Sequence, residues 1–109
     1  MRHYIFKFEL HPTAGGTHAI PPGSFFLDLQ MQLGQPVMWW SVPAQAGPSS
    51  EWPLRTFEVV PTGAPGHEAY RHYVGTFQLG GFVGHVLSLE PVPRTLDEAR
   101  AETIEGEAA

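Results

Sequence analysis

The chain of 109 residues contains no cysteine. That absence removes disulfides, thiolate nucleophiles and cysteine-ligated zinc, and it is compatible with a cytosolic setting. Charge is also scarce: 16% of residues are Asp, Glu, Lys or Arg, against about 25% in typical proteins. A charge-laced helical bundle is therefore not expected. Six Lys and Arg stand against eleven Asp and Glu, for a net charge of −5, and the cations do not cluster. Nucleic-acid polymers call for a basic patch, so they are excluded as partners. A small anion is not excluded, because two or three placed donors can hold one. No apolar run approaches the length of about 18 residues that a membrane helix needs. The opening MRHYIFKFEL has Lys7 and Glu9 among its apolar residues, which is not the pattern of a signal peptide.

What the sequence does have is apolar residues (42%), thirteen aromatics, 12 Gly and 11 Pro. The Gly and Pro are scattered as punctuation, as short strands joined by turns require. Residues 2–10 alternate, with Tyr4, Phe6, Phe8 and Leu10 on one face and His3, Ile5, Lys7 and Glu9 on the other, the period of a half-buried strand. A short segment, 17–20, leads into the turn Pro21-Pro22-Gly23. In the next strand, 24–33, Phe25, Leu27, Leu29, Met31 and Leu33 make an apolar face, with Phe26, Asp28, Gln30 and Gln32 opposite. Leu33-Gly34-Gln35-Pro36 reads as a tight turn returning strand 37–42 as a hairpin partner, with Met38, Trp40 and Val42 as core. A loop at 43–53, a strand at 54–60 and a second loop at 61–71 follow. Strand 72–79 is expected to turn Tyr73, Phe77 and Leu79 inward, and Gly80-Gly81 to connect it to strand 82–90. Glycine inside both final strands marks close backbone approach or a bend.

The sum is an all-β fold, a small antiparallel β-sandwich or barrel of six to seven strands, with a short C-terminal helix or tail. Residues 1–92 form a single β domain and 93–109 an acidic tail or helix. Thr95 followed by Glu98 fits a capping box for a helix from Leu96 to Ile104. Such a helix is too short to stand alone. Leu96, Ala99 and Ile104 would have to pack on something, a second subunit included; the other reading is a frayed, solvated segment.

In order along the chain, IFKFEL, IPPGSFFLDLQMQ, VMWWSV, PTG, YVGTFQLGG and VGHVLSLE resemble an uncharacterised family of small proteins encoded by phages and prophages. That family has an aromatic-rich opening strand and a Pro-Gly turn before an alternating strand. A Trp-containing strand, a Gly-Thr-Gly loop, a Tyr-x-Gly-Thr-Phe-Gln strand and a Val-x-His-Val strand follow. The likeness covers roughly residues 4–90; Pro61 stands where the family loop begins with Gly, and the segment beyond 91 is additional. It implies an all-β fold, a setting in the cytoplasm of an infected bacterial host, and action against host defence.

Three groups of residues can carry chemistry. Gln30, Gln32, Trp39, Ser41, Thr56, Glu58, Thr76 and Gln78 lie on polar strand faces. Amides and hydroxyls beside an indole suit a nucleobase or sugar; they also suit a solvated face with Trp39 at a subunit contact. The loop PTGAPGHEAYRH carries Thr62, Gly63, Gly66, His67, Tyr70, Arg71 and His72, with Arg55 on the preceding strand. Glycine backbone N–H groups and an Arg fork would meet phosphate, although the strict phosphate-loop pattern is absent and a plain connection fits as well. The six histidines show no metal-ligand spacing, and His85, among Val83, Leu87 and Leu89, reads as a hydrogen-bonded core residue. Glu58 with His67 or His72 is the one pairing for acid–base hydrolysis. No Gly-x-Ser-x-Gly elbow occurs.

The expected function is a non-enzymatic, homo-oligomeric sponge for a nucleotide-derived immune signal, a cyclic nucleotide or ADP-ribose derivative. Its ligand-binding set is Gln30, Gln32, Trp39, Arg55, Thr62, Gly63, His67, Arg71, His72, Thr76 and Gln78, with no catalytic residue, cofactor, metal or membrane contact. The alternative is a protein–protein module that inhibits a host defence enzyme or serves as a phage accessory subunit.

Overall fold

A computed structural model describes residues 2–108, with side chains described through residue 102. Seven strands run in chain order: β1 (His3–Glu9), β2 (Gly16–Ala19), β3 (Phe25–Gln32), β4 (Gln35–Pro43), β5 (Leu54–Pro61), β6 (His72–Leu79) and β7 (Phe82–Ser88). One helix, α1 (Leu96–Ala108), follows them. Two open antiparallel sheets form, one of three strands in the order β1-β4-β3 and one of four in the order β2-β5-β7-β6. The all-β expectation holds, and of its two architectures the sandwich is the one found. Among the described residues no helix is long and apolar enough to cross a membrane.

The core lies between the two sheets. Phe26, Met38, Trp40 and Val42 come from the three-stranded sheet, and Phe57, Val59, Val74, Phe77 and Val86 from the four-stranded sheet. Leu10 and Ile20, from the connections, complete it. Burial of these apolar side chains is the main favourable term in folding. The alternation read for β4 is correct: Met38, Trp40 and Val42 are buried at 0–1% exposure, and Trp39 is half-buried on the outer face.

Two strands depart from simple alternation, each because of a β-bulge. In β3 the register shifts between Phe26 and Asp28, so Phe26, expected outside, is core, and Leu27, expected inside, is exposed. In β6 the shift falls between Tyr73 and Gly75, so Val74 turns inward and Tyr73 outward at 56% exposure. An extra residue in one strand reverses every side chain on one side of it, which period-two counting cannot see. Gly75 faces the opposite sheet, where an added Cβ would come within 3.0 Å of Leu29 Cδ2. The glycine therefore permits the close approach of the β3 and β6 edges.

The segment after β7 ties these bulged edges together. Pro93 O accepts the Phe26 N–H at 2.8 Å. Arg94 Nη2 donates to Tyr73 O and Val74 O, both at 2.8 Å, and its guanidinium lies 4.9 Å above the Phe26 ring. Residues 93 and 94, assigned from the sequence to the tail, thus hydrogen-bond to the sandwich. Beyond them Thr95 Oγ1 accepts the Glu98 N–H at 3.1 Å and starts α1 as the capping pattern predicts. The helix is docked rather than frayed in its first turns: Ala99 is fully buried, and Arg55 pairs with Glu102. The side chain of Ile104 lies outside the described residues.

The β3–β4 hairpin turns on Leu33 and Gly34, with φ of +51° and +80°. This two-residue turn has left-handed backbone at both positions. Leu33, expected in the apolar face, is instead 99% exposed at the tip, where its Cβ is strained and its side chain touches nothing that offsets the strain. Leu33→Asn is expected to raise stability by about 0.5–1 kcal/mol, read as a higher urea midpoint with an unchanged slope. Arg94→Ala should lower it by about 1–2 kcal/mol, a fall in Tm of roughly 4–16 °C for a domain of this size. Arg94→Lys should recover part of that loss.

Candidate ligand face on the four-stranded sheet

The candidate residues do not share one place. Trp39, Gln30 and Gln32 lie on the outer face of the three-stranded sheet. There Trp39 Nε1 donates to Gln30 Oε1 at 3.1 Å, Gln30 Nε2 to Asp28 Oδ2 at 3.1 Å, and Lys7 Nζ to Gln32 Oε1 at 2.8 Å. Thr62, Thr76 and Gln78 lie on the outer face of the other sheet, across the core. Arg55 belongs to neither. Its side chain, 12% exposed, lies 5.4 Å above the Trp40 ring, donates to Pro91 O at 3.2 Å and pairs with Glu102. The single face expected from sequence, with Trp39, Arg55 and Thr76 together, does not assemble: Trp39 and Thr76 are on opposite sides, and Arg55 is spent on holding α1.

On the four-stranded sheet the hydroxyl and imidazole groups do converge. Pairing sets Val60, His85 and Thr76 side by side in one row across β5, β7 and β6. Thr76 Oγ1 lies 2.8 Å from His85 Nδ1, and Thr62 Oγ1 lies 2.7 Å from His85 Nε2. Tyr73 OH hydrogen-bonds Thr76 Oγ1. The chain Tyr73–Thr76–His85–Thr62 is therefore continuous. His85, expected in the core, stands half-buried on the outer face, because β7 directs Gly84, Val86 and Ser88 inward. Tyr73, expected inside, enters through the bulge.

Local structure places each member. Thr62 is the second residue of a turn closed by Ala64 N–H to Pro61 O at 3.0 Å, with Gly63 at φ +83°. A type II turn needs positive φ at its third residue, which glycine supplies without strain. Thr62 N–H also bonds Val83 O at 3.2 Å, which sets the hydroxyl over β7. The rest of the loop folds back over the sheet. A Cβ added to Gly66 would meet Val60 Cγ2 at 2.8 Å and Glu58 Oε2 at 3.8 Å. Val60, on an outer face, is accordingly only 8% exposed. Glu58 Oε2 is buried there without a hydrogen-bond partner. In the loop, Ala69 N–H donates to His67 Nδ1 at 3.1 Å, and Arg71 is exposed with no ion pair or hydrogen bond among the described residues. His72 pairs with the buried Ser88, on the inner side of the sheet.

The chemistry of the chain follows from the imidazole. A neutral ring donates at one nitrogen and accepts at the other. With the proton on Nε2, Tyr73 O–H donates to Thr76, Thr76 to Nδ1, and Nε2–H to Thr62, whose own proton points outward. With the proton on Nδ1 every bond reverses, and the outward proton belongs to Tyr73. The network thus offers a ligand a hydroxyl donor at one end or the other, selected by a single tautomer. Tyr73 adds an exposed ring and Gln78, also exposed, an amide. Among the described residues no three His, Asp or Glu gather as a metal ion needs.

A sequence profile described as a domain of unknown function, DUF7352, matches residues 1–95. The chain belongs to the DUF7352 family. Neither a curated protein nor a solved structure matches it. The matched span takes in all seven strands, the Tyr73–Thr62 network and Arg94 of the edge staple, and stops before α1.

Thr76→Val removes the middle of the network while keeping the shape. It should cost about 1 kcal/mol in stability. The ¹⁵N shifts of the His85 ring should move to a different tautomer balance, whereas the control Thr17→Val, on the same sheet, should leave them in place.

Proposed function

We propose that the chain is a non-enzymatic binding protein that holds a small nucleotide-derived molecule on the outer face of the four-stranded sheet. The observation that carries this reading is the exposed Tyr73 ring, joined through its own hydroxyl to the Thr76–His85–Thr62 chain. A planar base stacks on such a ring. Hydroxyls, an imidazole and the Gln78 amide match base edges and ribose, and the unpaired Arg71, two residues before Tyr73, matches a phosphate. In this reading the protein is phage-encoded, acts in the cytoplasm of an infected bacterium, and lowers the free concentration of a host immune signal such as a cyclic nucleotide or an ADP-ribose derivative. The family likeness supports the origin; the chemistry of the face supports the ligand class.

A ligand at a hundred times its Kd stabilises the folded state by about 2.7 kcal/mol, which raises Tm by roughly 10–20 °C in a domain of this size. Thermal melts with cyclic dinucleotides and with ADP-ribose derivatives are expected to show such a rise for one class. Tyr73→Ala and Arg71→Ala should abolish it, and the ligand should be recovered chemically unchanged. Flat melts with every compound at millimolar concentration would remove the ligand reading.

A further inference from the structure

The sandwich has four edge strands, and three of them are interrupted by a bulge or short. β3 and β6 are bulged, and the segment at 93–94 occupies the Phe26 N–H and the Tyr73 and Val74 carbonyls. β2 has only four residues. β1 is different. It runs seven residues without a register shift against β4.

The polarity of its free side can be worked out from the ends of that ladder. Leu10 N–H bonds Pro36 O at 2.9 Å, and Ala44 N–H bonds Arg2 O at 2.9 Å. Hydrogen-bonded residues alternate in an antiparallel pair, so the even-numbered residues of β1 point their N–H and C=O at β4. The odd-numbered ones, His3, Ile5, Lys7 and Glu9, point theirs outward. Glu9 O is already taken, by His18 Nε2 at 2.6 Å. The open donors and acceptors are thus centred on Ile5.

The side chains repeat this symmetry. Tyr4, Ile5 and Phe6 are exposed at 55%, 65% and 38%, and the Tyr4 and Phe6 rings stack, with planes 3° apart. His3-Tyr4-Ile5-Phe6-Lys7 reads polar, aromatic, aliphatic, aromatic, polar in either direction. A two-fold interface must be self-complementary, and this segment is.

We infer that β1 pairs antiparallel with β1 of a second copy about a two-fold axis at Ile5, joining two three-stranded sheets into one of six strands. Ile5 then faces Ile5 of its partner, Tyr4 faces Phe6, and His3 faces Lys7. The residues opposite one another keep the same parity, so both apolar inner faces stay on one side of the joined sheet. The register satisfies the N–H and C=O of His3, Ile5 and Lys7 on both copies and leaves the His18–Glu9 bond intact. An interface of one strand is small, so the dimer forms in the micromolar range.

Sedimentation velocity from about 1 to 200 μM, concentrations that bracket that range, is expected to show growth from the 12.0 kDa monomer to twice that mass. Ile5→Lys places two cations across the axis and should hold the protein monomeric, with an unchanged melt in the dilute, monomeric range because Ile5 is not core. In a chain free of cysteine, Ile5→Cys supplies one thiol per copy. A short bis-maleimide should link it far faster than Leu54→Cys, an exposed apolar position on another strand. A monomer throughout the range would overturn the proposal, as would a dimer indifferent to Ile5→Lys or equal linking at the two thiols.

Discussion

A run of rings and cations through the core holds this sandwich in register. Arg55 lies above Trp40, Trp40 meets Phe26 edge to face at 5.9 Å, and Arg94 lies above Phe26. Each guanidinium then reaches outward. Arg55 binds Pro91 O and Glu102; Arg94 binds the carbonyls at the β6 bulge. Arg55, with its side chain 12% exposed, is held over its ring more firmly than a cation on an open surface, whereas Arg94 stays exposed. The same two side chains that cover the aromatic core therefore fix the C-terminal segment and the second sheet. In a chain with six Lys and Arg, two of the cations are committed in this way.

That commitment shapes the functional surface. Arg55 cannot serve a ligand while it joins Trp40 to α1. In the binding reading proposed above, recognition on the four-stranded sheet falls to neutral groups and to the exposed Arg71. A face of hydroxyls, an imidazole and an amide distinguishes ligands by the direction of hydrogen bonds rather than by net charge. This accords with an acidic protein that would repel a bulk polyanion yet still accept a small one.

The fold was readable from sequence because alternation and turn chemistry are local. β1, β4, the Gly80-Gly81 hairpin and the Thr95 cap all followed from neighbours in the chain. Three of the errors share one cause. Phe26, Leu27 and Tyr73 changed sides because bulges interrupt β3 and β6, and a bulge depends on what the opposing edge presents. Gly75 was the one hint, and it did not say which way its neighbours would turn. His85 looked internal because β7 is apolar, although alternation places it opposite Gly84 and Val86. The division of Trp39 from Thr76 was not legible at all, since it depends on which strands share a sheet. Nor was the use of Arg55, whose partner Glu102 lies 47 residues away.

The position of Arg94 after every strand has a consequence for biosynthesis. Strands β1 to β7 all leave the ribosome before the residue that clips their bulged edges together. Until it emerges, the three-stranded and four-stranded layers are joined by their apolar faces and the His18–Glu9 bond, without the ties to the bulge carbonyls. Closure of the sandwich thereby waits on a segment made after every strand, and a product terminated before residue 94 would lack the clip.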